Sequence, residues 1–415
     1  MSVKDSATFT LNEADLTGKK VGELIETPKR AVPCSDGLQW WIDYRPAGWN
    51  ESYKGHVSVY LFVNKPVTAK CTFAVGSSSI SKEFTYEFNE PPFGTGYCQY
   101  ASHEELRPLF RDGKVTITGS VEFTSSVQSI PVAPAVYKAL EYTPPDFDLV
   151  VGSNRIQVHK NFISLISTVY FAMFKTNCFR ESESEETVIT DFNFNIVKTA
   201  IDYSYGRELK LLSAETYVGV LRFADKMDMK KIIADWENLI PSNLSKATFC
   251  DFLQYAYDFE KHALMDECYK YFKTNQSELK LLKRFAKLPP ILVVKVLKAA
   301  FELKSDDQVA RHARIYGINF IRDYLETCFI NAMSVENFHT TARYAWEFSQ
   351  ESLQKACAQF LNDNRDMVTT DDAFLNLPPE TVCSVLQYSA KRKRDAEAEH
   401  SAGVTAKRTT LEVST

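Results

Sequence analysis

Seven histidines and nine cysteines are the residues of this chain best suited to bind a metal or to attack a carbon centre. Their spacing argues against both. His56, His103, His159, His262, His312, His339 and His400 are scattered, with no pair at ligand spacing. Cys34, Cys71, Cys98, Cys178, Cys250, Cys268, Cys328, Cys357 and Cys383 contain no Cys-x-x-Cys pair. Cys250, Cys268 and Cys357 fall at core positions of helical patterns, where packing explains a thiol better than catalysis does. The chain has no Gly-rich phosphate loop, no His-Glu-x-x-His and no Gly-x-Ser-x-Gly. The expectation is a protein that is not an enzyme and needs no cofactor or metal. What remains for its side chains is recognition.

The elements that would carry recognition announce themselves by repetition. Val220–Leu297 and Val309–Leu386 align without a gap at an offset of 89. Identical pairs include Ala224/Ala313, Glu237/Glu326, Phe249/Phe338, Tyr255/Tyr344, Phe259/Phe348, Cys268/Cys357, Phe285/Phe374 and the Leu-Pro-Pro triplets at 288–290 and 377–379. Neighbouring copies of one helical unit bury each other's apolar faces, which makes a scaffold. Proline fits the first turn of a helix, so each Leu-Pro-Pro predicts a helix start.

Composition narrows the class. The 415 residues suffice for two to four domains, and apolar and charged fractions are those of a folded protein. A net charge of −5 predicts no nucleic-acid partner. The scattered, odd-numbered cysteines predict reduced thiols in the cytosol or nucleus. The first thirty residues show no apolar signal core, and no apolar run reaches the roughly 20 residues that span a bilayer. No membrane partner is therefore expected.

Along the chain, residues 1–27 are polar and weakly patterned, and order is expected for only part of them. Residues 28–130 hold β-rich stretches at Gln39–Tyr44, His56–Val63, Thr68–Val75, Lys82–Phe88 and Lys114–Phe123, which read as an antiparallel β-sandwich. A Pro-rich linker covers 131–145. Residues 146–240 mix a hairpin, Phe147–Val151 with Arg155–Val158, with helical patterns, so this domain reads as α/β. Residues 241–299 and 300–390 hold the two helical repeats, and 391–415 read as a disordered basic tail. The fold class expected is multidomain α+β, closing in all-α repeats.

Three resemblances attach to this frame. Residues 146–240, with "DFDLVVGSNRIQVHKNFISLISTVYFAMF" and "TYVGVLRFADKMDM", resemble a BTB/POZ domain. The repeats, with "FCDFLQYAYDFEKHALMDECYKYF" and "FHTTARYAWEFSQESLQKACAQFL", resemble the BACK extension that follows BTB domains, here doubled. The β-rich region, with "WWIDYRPAG", "HVSVYLFV" and "DGKVTITGSVEF", resembles a MATH (TRAF-like) domain.

A MATH–BTB resemblance implies a substrate-recognition adaptor of a cullin-type E3 ubiquitin ligase. The MATH-like domain would bind the protein substrate, and the BTB domain would form a homodimer and dock the cullin scaffold. The family's cullin contact, a hydrophobic-x-Glu motif, maps onto Phe179 and Glu181. An aromatic anchor beside a carboxylate suits such docking; the bland alternative is local core at Phe179 and a solvated acidic loop. A charged pair in the dimer-interface pocket maps onto Asp148 and Lys160, and His159 is expected to be structural. The family's substrate-groove aromatics map onto Tyr60, Tyr86, Phe88 and Phe93, of which about half would serve the sandwich core instead. Cys71 and Thr95 stand where the family has aromatics. Of Trp40 and Trp41, strand alternation lets only one face the core. Lys391, Arg392, Lys393 and Arg394 resemble a nuclear localisation signal, so residence in cytoplasm or nucleus is expected. The rival reading is a BTB-dimeric interaction scaffold, nuclear or cytoskeletal, that never binds a cullin.

Overall fold

The computed structural model describes the backbone of all residues except 1, 34, 36, 77, 90–92, 126, 128, 176–184, 210 and 413–415; the side chains of 93, 396–397 and 399–412 also fall outside it. The chain divides into two compact units, Met1–Tyr271 and Phe272–Thr415.

The first unit opens with nine strands: β1 (Ser2–Asn12), β2 (Ile25–Glu26), β3 (Arg30–Ala31), β4 (Gln39–Arg45), β5 (His56–Val63), β6 (Val67–Val75), β7 (Ser81–Phe88), β8 (Phe93–Ser102) and β9 (Lys114–Thr124). They form two antiparallel sheets, one in the order β1-β9-β6-β7 and the other β2-β4-β5-β8, with β3 also on β4. Alternate residues of β1, β4, β5, β6 and β9 point inward into one shared core. Across it, Phe9 stacks on Tyr44 at 4.3 Å, Phe73 meets Tyr100 at 6.1 Å and Trp40 meets Phe123 at 6.1 Å.

Two of the longer strands differ from the sequence expectation. β1 lies in the segment expected to be only partly ordered, yet it pairs with β9 over its whole length, from Ser2↔Thr124 to Asn12↔Lys114. Its inward positions include Asp5 and Ala7, which break the apolar alternation. Asp5 is tolerated because Trp40 Nε1 and Arg30 donate to its carboxylate at 2.8 and 2.9 Å. β8 is diluted by Gly94 and Gly96. A Cβ on Gly94 would sit 2.2 Å from the Phe62 ring, and one on Gly96 would sit 2.1 Å from the Val59 carbonyl, so the close approach of β8 to β5 excludes side chains there.

A three-stranded sheet follows: the hairpin of β10 (Phe147–Val151) and β11 (Asn154–Val158), with β12 (Glu186–Val188) parallel to β10. Around it run α1 (Lys160–Ile166), α2 (Thr168–Lys175), α3 (Phe194–Tyr205), α4 (Ala214–Lys226) and α5 (Lys230–Glu237). Asn193 caps α3 and Ser213 caps α4, each accepting from a backbone N–H of the first turn. The apolar faces enclose Trp236, with Tyr217 at 4.6 Å and Tyr203 edge-on at 5.5 Å. Then α6 (Phe249–Asp258) and the first part of α7 (His262–Leu279) complete the unit, with Phe252 and Tyr255 buried in the same core.

The segment between sandwich and α/β domain is seated against its neighbours. Leu211 belongs to the sandwich core and Leu212 to the α/β core, and Ser125 Oγ donates to the Leu212 carbonyl at 2.8 Å. Asn243, only 2% exposed, accepts from Ser129 N–H and donates to the Ser129 carbonyl, both at 2.8 Å. Asn243→Ala removes both bonds and leaves the part-buried N–H and carbonyl of Ser129 without their partner, so it should destabilise this unit by about 1–3 kcal/mol. A urea midpoint identical to that of the unsubstituted chain would contradict the clasp.

The second unit contains the rest of α7, then α8 (Pro290–Phe301), α9 (Asp306–Ile315), α10 (Asn319–Asn331), α11 (Val335–Glu347), α12 (Glu351–Asp363) and α13 (Pro379–Glu412). The two Leu-Pro-Pro triplets open α8 and α13, as proline at the first turn predicts. α13 runs through Lys391–Arg394 and on to Glu412, across residues expected to be disordered. Ala, Lys, Glu and Arg dominate that stretch, and their helix propensity continues a helix that packing has already nucleated.

The internal repeat extends to side-chain geometry. Tyr255 donates to Glu237 at 2.5 Å, and Tyr344 donates to Glu326 at 2.9 Å. Phe259 lies 4.9 Å from Tyr255, and Phe348 lies 5.0 Å from Tyr344. Arg222 pairs with Asp258, and Arg311 with Glu347. Both turns use a positive φ, at Glu260 (51°) and Ser349 (50°). The cation on the shared glutamate differs: Lys261 holds Glu237 at 2.8 Å, whereas Arg314 holds Glu326 at 3.0 Å. Tyr255→Phe and Tyr344→Phe should therefore each cost about 1–2 kcal/mol, since the carboxylate loses a donor but keeps its cation. A pair of urea titrations checks this; a cost confined to one copy would show the repeat to be geometric only.

Candidate functional site

The outer face of the β2-β4-β5-β8 sheet gathers aromatic and charged side chains. Inward residues of β5 (Val57, Val59, Leu61, Val63) are fully buried in the sandwich core, so Ser58, Tyr60 and Phe62 point outward. On β4 the same alternation sends Trp40, Ile42 and Tyr44 inward and Trp41, Asp43 and Arg45 outward. Register sets Asp43 opposite Tyr60 on one side and opposite Glu26 on the other.

The loop between β4 and β5 folds Trp49 over this face. The Arg45 guanidinium lies 3.7 Å from the centre of the Trp49 ring, and Tyr60 is 4.6 Å away on the sheet. Tyr60 Oη and Cys98 Sγ are 2.9 Å apart. Trp41 stacks on Phe62 at 5.6 Å, with Lys29 Nζ 4.7 Å from its ring. Trp49 stays 37% exposed, while Asp43 is 3% exposed.

Burial, helped by the Glu26 carboxylate across the strand, pushes the Asp43 carboxyl up to about 6, against the pull of Arg45 and the Trp41 indole. Burial also pushes the Arg45 guanidinium down and the Tyr60 hydroxyl up, the latter reinforced by Cys98. The buried thiols are poor nucleophiles: burial holds Cys71, Cys268 and Cys357 up at about 12. This face can stack, bond and discriminate by charge.

The residues singled out from sequence are distributed unevenly. Tyr60 lies on the outer face, but its ring is roofed by Trp49. Tyr86 is 39% exposed on β7, edge-on to Phe88 at 4.9 Å. Phe88 itself is 1% exposed and belongs to the sandwich core, so it is corrected from groove to core. Parity does not decide this, since Tyr86 lies on the same side of β7; Phe88 sits at the covered end of the strand, paired with the buried Val67. Phe93 lies on β8, with its side chain outside the described residues. Trp40 is the core member of its pair, and Trp41 is outward yet sealed. Sequence reasoning missed Asp43, Arg45 and Trp49. The Trp-x-Asp-x-Arg alternation from 41 to 45 marks a shared strand face, but nothing local says that a loop closes over it.

In the α/β domain, Phe179 and Glu181 lie outside the described residues. Asp148 does not take Lys160 as its ion-pair partner: Arg155 bridges it to Glu186, at 2.8 and 2.6 Å. Register explains this, because Asp148 pairs with Gln157 and Glu186, which makes Arg155 a diagonal neighbour of Asp148 whose long side chain reaches across β10 to Glu186. The Lys160 ammonium lies over the Phe147 and Phe174 rings at 5.1 and 5.7 Å. His159 is held by Tyr205 Oη at 2.9 Å and by the Thr143 carbonyl at 2.9 Å. Lys391, Arg392, Lys393 and Arg394 are exposed on α13.

Comparison with known proteins adds the following. Residues 139–244 match the profile of the BTB/POZ domain. The chain is similar to mouse "TD and POZ domain-containing protein 2", 24% identical over 257 residues that cover 53% of this chain and 68% of that protein. It is also similar to "Kelch repeat and BTB domain-containing protein 1" of vaccinia virus (strain Copenhagen) and of horsepox virus, 29% identical over 153 residues, or 33% of this chain. The chain spans only 27% of the length of those viral relatives. The solved BTB domain of zebrafish PATZ1 aligns at 16% identity, covering 26% of this chain and 86% of that one, with a TM-score of 0.22.

Proposed function

The chain carries a BTB/POZ domain, a protein-interaction module, and on that footing we propose that it is a substrate-recognition adaptor of a cullin-type E3 ubiquitin ligase. The observation that carries this reading is the profile match at 139–244, set directly behind an antiparallel sandwich with an aromatic outer face. The α/β domain would form a homodimer and dock a cullin through Phe179 and Glu181. The sandwich, read as a MATH-like domain, would hold a protein client on the face around Tyr60. The doubled helical unit, read as BACK-like, would extend the docking surface or space the two arms. The adaptor would make no bond itself. It would raise the effective concentration of client near the charged conjugating enzyme. The exposed run Lys391–Arg394 supports nuclear import alongside cytoplasmic residence.

Seating of the linker supports transmission of a client's position to the cullin arm. Sandwich and α/β domain share one compact unit and are tied through Ser125, Ser129 and Asn243. The test is a double variant, Phe179→Ala with Glu181→Ala. It should remain folded and dimeric yet lose cullin in a pull-down from cells. If the unsubstituted chain brings down no cullin, the scaffold reading takes its place.

A further inference from the structure

Leu211 lies in the loop between α3 and α4 of the α/β domain, yet it is 3% exposed and belongs to the core of the sandwich. Its neighbour Leu212, 5% exposed, belongs to the α/β core. A single peptide unit therefore joins the two cores. Ser35 of the sandwich pairs with Leu211 in a parallel β-bridge. The receiving loop is closed on itself: Ser35 Oγ donates to the Val32 carbonyl at 2.7 Å, Leu38 N–H donates to Ser35 Oγ at 3.1 Å, and Val32 N–H donates to the Leu38 carbonyl at 2.9 Å. Val32 and Leu38 are buried in the same core as Leu211. The chain crosses a second time beside the first. Phe123 is buried in the sandwich and Val127 in the α/β core. Ser125 stands between them, and its Oγ donates to the Leu212 carbonyl at 2.8 Å and accepts from the Leu212 N–H at 3.3 Å. On the sandwich side, Gly37 approaches α3 so closely that a Cβ there would sit 2.8 Å from Asn195 Nδ2. Domains joined by a plain linker move relative to each other by default. Here a rotation of one against the other must draw Leu211 or Leu212 out of its core, at the cost of exposing a buried leucine.

We propose that Leu211 is a positioning residue: it plugs the sandwich onto the α/β domain, so that the two move as one rigid body and hold a bound client at a fixed place relative to the docked ligase arm. The consequence for clients rests on the adaptor reading; the rigid lock does not. Ubiquitin transfer needs a client lysine to meet the charged conjugating enzyme, and fixed placement confines transfer to lysines in one zone. A sandwich on a loose tether would sweep many lysines through that zone at lower effective concentration each. Leu211 thus sets which lysines are modified. It does not set how tightly a client binds, because it sits in the core, away from the outer face that carries Tyr60.

The test uses the full chain, deuterated and nitrogen-15-labelled, with TROSY relaxation read separately for amides of β4–β9 and of β10–α4. One rotational correlation time is expected for both sets. Leu211→Ala with Ser125→Ala should split them, the sandwich value falling about twofold as it becomes a tethered domain, while amide dispersion persists within each set. Leu211→Met keeps an apolar plug and should keep one value. If the double variant loses its dispersed signals, the same split is read in Leu211→Ala alone. Two values in the unsubstituted chain, or one value in a folded variant without the plug, overturn the lock. A second readout uses the chain as its own substrate, with purified cullin–RING complex, conjugating enzyme and ubiquitin. The exposed sandwich lysines Lys4, Lys20, Lys29, Lys54, Lys70 and Lys114 report placement. Ubiquitin should be confined to a few of them in the unsubstituted chain and spread over all of them in the unplugged variant. An identical map in both overturns the positioning role. If the chain binds no cullin and carries no ubiquitin, the adaptor reading fails by itself, and the relaxation data still decide the lock.

Discussion

Gly206→Ala is expected to cost about 3 kcal/mol or more and to loosen the sandwich from the α/β domain. Gly206 ends α3 in the left-handed region at φ 72°, and its N–H closes on the Tyr203 carbonyl at 2.8 Å while Arg207 N–H reaches back to Asp202 at 2.8 Å. An alanine there carries roughly 1 kcal/mol of backbone strain. The larger part is steric, because a Cβ would stand 2.0 Å from the Pro134 carbonyl and 2.7 Å from Ala135 Cα. Backbone cannot swing aside as a side-chain tip can, so the linker must lift. Limited proteolysis should then cut within 129–145 in the variant far faster than in the unsubstituted chain. A variant that keeps its thermal midpoint and its resistance to protease would show that Pro134 has room to move.

Asp43→Asn is expected to flatten the pH dependence of sandwich stability. The folded carboxyl titrates at about 6 against 3.8 unfolded, so the folded chain binds more protons between those values. Stability then falls as pH rises from about 4 to about 6 and levels off above, a loss on the order of 2–3 kcal/mol for one sealed carboxylate. Asparagine cannot ionise, so the variant should lack that fall and be the more stable form at neutral pH. Hydrogen-exchange protection of β4 and β5 amides, corrected for intrinsic exchange, reads it directly. Parallel pH profiles for both proteins would show that Asp43 is not the group responsible.

Strands β4 to β7 and β9, the β10–β11 hairpin and the helix starts at the prolines were legible because local pattern and tertiary demand agree at those places. β1 and β8 were not, since Asp5, Ala7, Gly94 and Gly96 interrupt alternation for reasons set by other strands. Arg30 and Trp40 make Asp5 tolerable, and the closeness of β5 makes the glycines necessary. The candidate site divides the same way. Tyr60 was readable from its resemblance, and its outward side follows from the apolar run on alternate residues of β5. Phe88 is an aromatic on the same side of the same strand as Tyr86, yet one is core and the other surface.

By itself, the order of residues determined the segmentation into sheet-forming and helical regions and the duplicated helical unit. Those depend on periodicity and on proline, glycine and capping residues acting within a few positions of one another. Only the tertiary structure decided that Arg155 and not Lys160 takes Asp148, that Phe88 is sealed, and that Trp49 closes over Tyr60 and Arg45. Each of these turns on which distant segment arrives at a given strand face. Burial and pairing are properties of that arrival, and no local run of side chains encodes them.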